Sequence, residues 1–216
     1  MMAEATLFVV DDGLAVRDSV SKLLAGSRFG IETFASTQKF LNQFDPNRPG
    51  CLLIDIQVPG IEGLDLTKRL KDQKTRYSTI IIMSFAQVSL PAAVMKAGAT
   101  DLIEKPFQKE DLLPRVQAAM QLDAETRRHQ TRQIEFGNLL HTLTNREREV
   151  FEHVVQGKST KVIATELGSS YHTVRNQRSS ILRKLKADTV VDAVRKVSEY
   201  RSLLESFHQL VDLKED

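Results

Sequence analysis

The stretch CLLIDIQVPG, residues 51–60, decides the predicted fold of this 216-residue chain. Its four apolar residues run into a single carboxylate, Asp55, and Pro59 and Gly60 then form a turn. A short apolar run that is closed by turn residues is typical of a strand buried on both faces of a parallel sheet. Because sites in such sheets lie just beyond the carboxyl ends of the strands, we expect Asp55 at a functional edge. An aspartate that only caps the next helix is the alternative that this stretch leaves open.

The same pattern recurs on both sides of this stretch. Short apolar segments alternate with segments whose apolar residues have helical spacing. The predicted strands are residues 6–10, 31–34, 51–56, 79–83 and 101–104. Five strand–helix alternations within about 120 residues predict one α/β domain with a parallel sheet.

Polar side chains follow four of these predicted strands. They are Asp11 and Asp12, Asp55, Ser84 and Lys105. The strand ends of a parallel sheet meet at one edge, so we expect these groups to gather there. Each one alone is weak support, because solvated loops and helix caps use the same residue types. Their joint occurrence at four strand ends in this order is hard to obtain by accident.

The gathered groups predict a particular chemistry. Carboxylates that share one edge repel, so at least one pKa should rise unless a cation joins them. Mg²⁺ takes oxygen ligands and prefers one or two carboxylates plus a phosphate. We therefore predict a phosphoryl group held covalently on Asp55, whose carboxylate oxygen is the nucleophile. Lys105 and Ser84 would contact the phosphoryl oxygens beside the metal ion.

Composition places the chain in a broad class. Its hydrophobic share of 41% and charged share of 27% are ordinary for a globular protein. Cys51 is the only cysteine, which excludes an intrachain disulfide and suits a reducing compartment. We see no secretory signal, and no apolar run approaches the roughly 18 residues that span a bilayer. We therefore expect a soluble cytoplasmic protein without a membrane partner.

A change of composition divides the chain into domains. We predict a first domain over residues 1–122, a polar helical linker over 123–142 and a second, all-α domain over 143–216. The linker contains RRHQTRQ and few apolar residues, so we expect it to have no core of its own. Beyond it, capping residues and glycine turns separate four apolar segments with helical spacing. The fourth predicted helix, residues 189–210, is longer than such a small core requires.

Positive charge is concentrated in the second domain. Residues 158–186 carry seven basic side chains against Glu166 alone, whereas residues 1–122 carry 14 acidic and 14 basic ones. A concentrated positive stretch is typical of a protein that binds a polyanion. The alternative is that these basic residues serve only solubility. The charges of this stretch are almost all positive, which favours polyanion binding over this alternative.

A helix-turn-helix pattern lies within this basic stretch. A short helix follows Ser159, a turn contains Gly168, and a longer helix follows Ser170. The longer helix is predicted to bury Val174, Ile181, Leu182 and Leu185. Its opposite face offers Arg175, Asn176, Ser179 and Arg183. A recognition helix places such side chains in the major groove of DNA, where Arg pairs with guanine and Asn with adenine.

The motifs together resemble a known family. They are FVVDD at 8–12, CLLIDIQVPGIEGLDL at 51–66, MKAGATDLIEKPF at 95–107 and LTNREREVFEHVVQGKSTKVIATELGSSYHTVRNQRSSILRKL at 143–185. Residues 5–121 resemble the receiver domain of two-component response regulators. The whole chain resembles the NarL/FixJ subfamily, whose second domain is a LuxR-type helix-turn-helix.

The resemblance implies a fold and a receiver chemistry. The fold would be flavodoxin-like, with five parallel strands in the order 2-1-3-4-5. A sensor histidine kinase would transfer its phosphoryl group to Asp55. Mg²⁺, or Mn²⁺, would be held by Asp12, Asp55 and the backbone carbonyl of Gln57, with Asp11 reaching it through water. The Lys105–Pro106 peptide bond would be cis. The protein would not be an enzyme beyond its own phosphotransfer and dephosphorylation.

The resemblance also implies roles on double-stranded DNA. By their positions in the family, Arg175, Asn176 and Ser179 would read bases. The expected phosphate contacts are Lys161, Thr173, Gln177, Arg178 and Lys184, and Arg183 lies on the same exposed face. RNA polymerase and a second copy of the chain would be further partners. The linker and the long fourth helix are candidate dimer contacts, with packing inside one chain as the alternative.

Two departures from the family pattern concern the receiver. Phe85 stands after Ser84, where the family has a small residue that leaves the phosphoryl path open. Leu102 stands where the family has an aromatic residue that swings inward on activation. We therefore hypothesise slow phosphorylation by small donors that becomes faster in Phe85→Ala, and an unchanged rate in that variant would contradict this.

The predicted function is a transcription factor in which phosphorylation of Asp55 gates DNA binding. One alternative is a DNA-binding protein whose receiver works without phosphate, which Phe85 and Leu102 favour. The effect of Asp55→Ala on DNA affinity separates the two. A metal-dependent phosphohydrolase with an aspartyl intermediate is a third possibility, but it leaves the basic helix-turn-helix unexplained.

Overall fold

The fold was obtained as a computed structural model that describes residues 5–58, 62–72, 77–84 and 91–199. Three features named above lie outside these residues: Phe85, the Pro59–Gly60 turn, and the part of the fourth helix beyond Glu199. Contacts divide the chain into two compact units, residues 1–128 and 129–216.

Unit 1 is built on five parallel strands in the order β2-β1-β3-β4-β5, which confirms the predicted fold. The strands are β1 (Thr6–Val10), β2 (Gly30–Phe34), β3 (Gly50–Asp55), β4 (Ser78–Ser84) and β5 (Asp101–Lys105). The helices are α1 (Leu14–Leu23), α2 (Thr37–Gln43), α3 (Gly63–Asp72), α4 (Pro91–Ala97) and α5 (Lys109–His141).

Strand β3 is buried on both faces, as its apolar run predicts. Leu52 and Ile54 belong to the apolar cluster on one face of the sheet, whereas Cys51 and Leu53 belong to the cluster on the other. All four side chains are fully buried. Because successive strand residues point to opposite faces, a continuous apolar run is needed where helices cover both.

Gly63 sets the start of α3 close to the end of β3. A Cβ atom at this position would lie 2.4 Å from the carbonyl oxygen of Asp55, closer than real side chains approach. The Gly63 N–H donates to the carbonyl of Ile56 at 3.2 Å. The backbone around Asp55 is therefore held by a contact that only glycine permits.

Helix α5 runs without a break through the segment predicted as a linker. The segment is helical as expected, and its side chains also make contacts within each of the two units. In unit 1, Asp123 and Arg127 bond to the loop before β3. In unit 2, Phe136 and Leu140 are buried in the apolar core. Two apolar residues one helical turn apart suffice to pack against a small helical unit, so this segment shares the core of unit 2.

Unit 2 adds four helices to the end of α5: α6 (Asn145–Val155), α7 (Thr160–Glu166), α8 (Tyr171–Lys184) and α9 (Val190–Glu199). The predicted capping box is present, since Thr144 and Glu147 each accept a hydrogen bond from the other's backbone N–H. Ser159 and Ser170 cap α7 and α8 as expected. Gly168 has φ of 58°, in the left-handed region that favours glycine at such a turn.

No helix within the described ranges is both long and apolar enough to cross a membrane.

Candidate functional site

The predicted polar residues meet at the carboxyl edge of the sheet in unit 1. Asp55, Ser84 and Lys105 are the last residues of β3, β4 and β5, and Asp11 directly follows β1. Ser84 and Lys105 are neighbours in the β4–β5 register. The peptide bond between Lys105 and Pro106 is cis, as the family resemblance implied.

Lys105 is the centre of this site. Its ammonium group donates hydrogen bonds to Oδ2 of Asp11, at 2.8 Å, and to Oδ2 of Asp55. The remaining carboxylate oxygens accept backbone N–H groups, Asp11 Oδ1 from Gly13 at 2.8 Å and Asp55 Oδ1 from Gln57 at 2.7 Å. Both carboxylates are thus oriented by two donors each.

The electrostatics of the site follow from burial and from this ion triad. Burial raises the pKa of Asp11, although hydrogen bonds from Lys105 and Gly13 oppose the shift. Repulsion from the Asp55 carboxylate also raises the pKa of Asp11, but by less than burial does. Burial alone would lower the pKa of Lys105, but its bonds to the two carboxylates raise it. Lys105 therefore stays protonated and supplies a fixed positive charge.

Asp12, the third carboxylate expected at this edge, differs from Asp11 in its exposure. Its side chain is exposed, while that of Asp11 is buried. Among the residues that the structure describes, no three His, Cys, Asp or Glu side chains are grouped so that they could hold a metal ion. The reason is geometric, since consecutive residues at a strand end point in different directions. The two carboxylates that bond to Lys105 are those of Asp11 and Asp55.

The donor set nevertheless fits Mg²⁺, the ion that receiver domains in general bind. Asp11 and Asp55 bond to one ammonium group, so their oxygens lie within reach of a common cation. One or two carboxylates supplemented by water and phosphate oxygens are what Mg²⁺ prefers. Backbone carbonyls such as that of Gln57 are donors of the same chemical type.

Sequence reasoning missed Arg17. Its guanidinium on α1 donates to the backbone carbonyl of Asp11, at 2.5 Å. This bond fixes the loop that carries the acidic pair against the first turns of the helix. A basic residue six positions after Asp11 was the available signal, but helical spacing alone does not show which way it reaches.

Leu102, the proposed switch position, lies on β5. Its half-buried side chain packs against the apolar cluster that contains Phe8, Ile54 and Val94. It therefore contributes to the core of unit 1 in this arrangement.

The second candidate site is the exposed face of α8 in unit 2. Val174, Ile181 and Leu185 are buried and Leu182 is half-buried, as predicted. On the opposite side, the exposed residues are Thr173, Arg175, Asn176, Ser179 and Arg183. Lys161, on α7, is exposed as well. Within the described part of the chain, the side chains of Lys161 and Arg183 form no ion pair. Cationic and amide donors thus face solvent together.

Of the expected phosphate contacts, Lys184 and Arg178 form hydrogen bonds inside unit 2, and Gln177 is half-buried. Lys184 donates to Oε2 of Glu147 at 2.6 Å and to the carbonyl of Thr142 at 3.1 Å. Arg178 is half-buried and donates to the hydroxyl of Thr160 at 3.1 Å. Gln177 is also half-buried. Their sequence positions on α8 could not show this, because the contacts come from α6 and α7.

Both units match known protein families. Residues 7–117 match the family of response regulator receiver domains, and residues 141–197 match the luxR family of bacterial regulatory proteins. The response regulator protein TodT of Pseudomonas putida is 32% identical over 201 residues, which cover 93% of this chain and 88% of TodT. The transcriptional regulatory protein TdiR of Thauera aromatica is 36% identical over 181 residues, 84% of this chain and 80% of TdiR.

Solved structures show the same likeness. The response regulator StyR matches with a TM-score of 0.80 and 33% identity, over 92% of this chain and 100% of that one. Full-length FixJ from B. japonicum matches with a TM-score of 0.56 and 30% identity, over 93% and 98%.

A phosphoacceptor-type receiver joined to a LuxR-type helix-turn-helix defines a response regulator that acts on transcription. The chain belongs to the NarL/FixJ family of response regulators. The comparisons do not favour the alternative of a receiver that works without phosphate.

Proposed function

We propose that Asp55 accepts a phosphoryl group from a sensor histidine kinase and that this modification controls DNA binding by the exposed face of α8. The observation that carries the proposal is the Asp11–Lys105–Asp55 triad at the carboxyl edge of the sheet. It presents one carboxylate at the end of the central strand beside a permanently charged ammonium group.

The phosphotransfer step uses the chain's own groups in defined roles. A new bond joins an Asp55 carboxylate oxygen to phosphorus while the bond from phosphorus to the donor nitrogen breaks, and that nitrogen keeps the electron pair. The backbone N–H of Gln57 orients the Asp55 carboxylate. The ammonium group of Lys105 exchanges its contact with the Asp55 carboxylate for one with a phosphoryl oxygen. Negative charge accumulates on that oxygen during the transfer, and the ammonium group stabilises it. Ser84, next to Lys105 in the sheet, offers a hydroxyl to another phosphoryl oxygen.

Mg²⁺, or Mn²⁺, would be held by Asp11 and Asp55 with the backbone carbonyl of Gln57, and Asp12 would contribute from the exposed side. The ion supplies neutralisation of phosphoryl charge. The proposed chemistry is limited to the protein's own phosphorylation and dephosphorylation.

On DNA, we propose that Arg175, Asn176 and Ser179 read bases, because they share the exposed face of α8. Lys161, Thr173 and Arg183 would contact phosphates from exposed positions. Arg178 and Gln177 would add contacts only through their exposed parts. A dimer that spans two half-sites, and contact with RNA polymerase, complete the proposal for a transcriptional regulator.

Intact mass measurement tests the receiver half of the proposal. Wild-type protein incubated with Mg²⁺ and acetyl phosphate should gain the mass of one phosphoryl group. Asp55→Asn should gain none, and Lys105→Met should gain it far more slowly. Lys96→Met is a matched control on α4, away from this edge, and should behave as wild type. An adduct that persists in Asp55→Asn would refute the assignment of the acceptor.

A further inference from the structure

Glu147 is a hydrogen-bonding hub between α6 and α8. Its Oε2 accepts from the backbone N–H of Thr144, at 2.7 Å, and from Lys184. Its Oε1 accepts from the hydroxyl of Ser180 at 2.8 Å. Glu147 is 7% exposed, whereas the Lys184 side chain is 29% exposed, so the charge-assisted bond between them is partly shielded from water.

The two α8 residues that bond to this hub sit one helical turn apart. Ser180 and Lys184 therefore lie on the same stripe of the helix, facing α6. The exposed residues Asn176, Ser179 and Arg183 lie on the neighbouring side of the same helix. Any rotation or shift of α8 that moves these exposed residues also breaks the bonds to Glu147.

The residue before Glu147 holds the other end of α8. Arg146 donates through Nη2 to the carbonyl of Leu167 at 2.7 Å and to the hydroxyl of Ser169 at 2.6 Å. Both acceptors belong to the turn between α7 and α8. Arg146 and Glu147, consecutive residues at the start of α6, thus bond to different parts of the helix-turn-helix. Arg146 bonds to the turn before α8, and Glu147 bonds to the C-terminal part of α8.

The carboxylate is held firmly in its charged form. Burial alone would raise the pKa of Glu147, but the bonds from Lys184, Thr144 and Ser180 outweigh burial and lower it to about 2. The Glu147–Lys184 pair is therefore a permanent ion pair at ordinary pH.

We propose that Glu147 and Lys184 are positioning residues for sequence recognition, through which α6 fixes the orientation of α8 in the DNA groove. Lys184, in contrast to the family-based expectation, contacts no DNA phosphate, because its ammonium group is engaged by Glu147 and Thr142. The inference rests on DNA contact by α8, and it assigns base preference in part to residues that touch no base.

Two substitutions isolate the ion pair. Glu147→Gln keeps the capping box, in which glutamine also serves, but removes the charge that pairs with Lys184. Lys184→Met keeps the aliphatic stem and removes the ammonium group. Lys161→Met is the matched control, since Lys161 is an exposed lysine of the same unit that is proposed to contact a phosphate.

The first measurement is the salt dependence of binding to a random-sequence duplex by the full-length protein. Lys161→Met should lower the slope of log affinity against log salt by about one unit. Lys184→Met should leave the slope unchanged. A loss of about one unit in Lys184→Met would make Lys184 a phosphate contact and overturn the inference. An unchanged slope in Lys161→Met would instead count against the proposed phosphate-contacting role of Lys161, which is a separate failure.

The second measurement is base preference, obtained by selecting duplexes from a random library at a temperature well below unfolding. Affinity for the selected duplex relative to the random one should fall about 10-fold in Glu147→Gln and in Lys184→Met, equivalent to about 1.4 kcal/mol. The double variant should lose no more than either single one, because both remove the same interaction. Variants that unfold at lower temperature but keep full base preference would reduce the pair to a stabilising role and refute the inference.

Discussion

Arg127 should be among the most important side chains for the stability of unit 1, although it lies in the segment whose sequence predicts a linker. Its Nε donates to Oδ2 of Asp123 at 2.7 Å, and its Nη atoms donate to the carbonyls of Pro46, Asn47 and Arg48. The Asp123 side chain is 2% exposed and also accepts the N–H of Gly50 at 3.1 Å.

The expected loss of stability in Arg127→Met follows from the buried charge that remains without its partner. The Asp123 carboxylate stays buried and keeps only the Gly50 N–H, since its Oδ1 has no partner among the described residues. Removing one member of a buried ion pair costs about 3–5 kcal/mol, because the other charge remains desolvated. For a unit of this size, the midpoint of thermal unfolding should fall by about 10–20 °C.

Calorimetry of the full-length protein is the assay, because it reports the transitions of the two units separately. Arg128→Met is the matched control, since Arg128 is the next residue and is exposed. Its transition should match that of the wild type. Asp123→Asn combined with Arg127→Met should recover part of the loss, since no charge is then left buried. If Arg127→Met lowers the midpoint no more than Arg128→Met does, the reasoning is refuted.

Three further predictions concern single residues. Because the pKa of Glu147 is lowered from 4.5 to about 2, the free energy of unfolding of unit 2 should fall by about 3 kcal/mol as pH drops from about 4.5 to about 2, and urea titrations of Glu147→Gln should lack this decline. Lys186 has φ of 49°, so Lys186→Gly should stabilise unit 2 by about 1 kcal/mol, seen as a higher thermal midpoint; a lower one would contradict it. Gly63→Ala should displace the backbone at Asp55, so both the midpoint of unit 1 and the phosphorylation rate should fall, and wild-type values for both would contradict this.

Features set by short stretches of sequence were predictable. The apolar run before Asp55 determines a strand buried on both faces, and four strand ends then determine which polar residues meet. The capping box at Thr144 and Glu147 spans only four residues and was likewise found from the sequence.

Contacts between distant residues were not predictable in the same way. Lys184 pairs with Glu147, 37 positions away, and Asp123 bonds to Gly50, 73 positions away. Nothing in the local sequence separates a lysine that binds a phosphate from one that binds a glutamate on another helix. The family resemblance therefore assigned Lys184 to DNA, whereas in the structure its ammonium group bonds to Glu147 on α6.

The most direct test of the central claim is the DNA affinity of the wild type and of Asp55→Ala, each measured with and without Mg²⁺ and acetyl phosphate, on a duplex that the phosphorylated wild type selects. Intact mass is recorded on the same samples. We predict that one phosphoryl adduct forms on the wild type alone and changes its affinity, while Asp55→Ala gains no adduct and keeps one affinity under both conditions. An adduct on the wild type with no change in affinity, or an equal change in Asp55→Ala, would contradict control of DNA binding through Asp55.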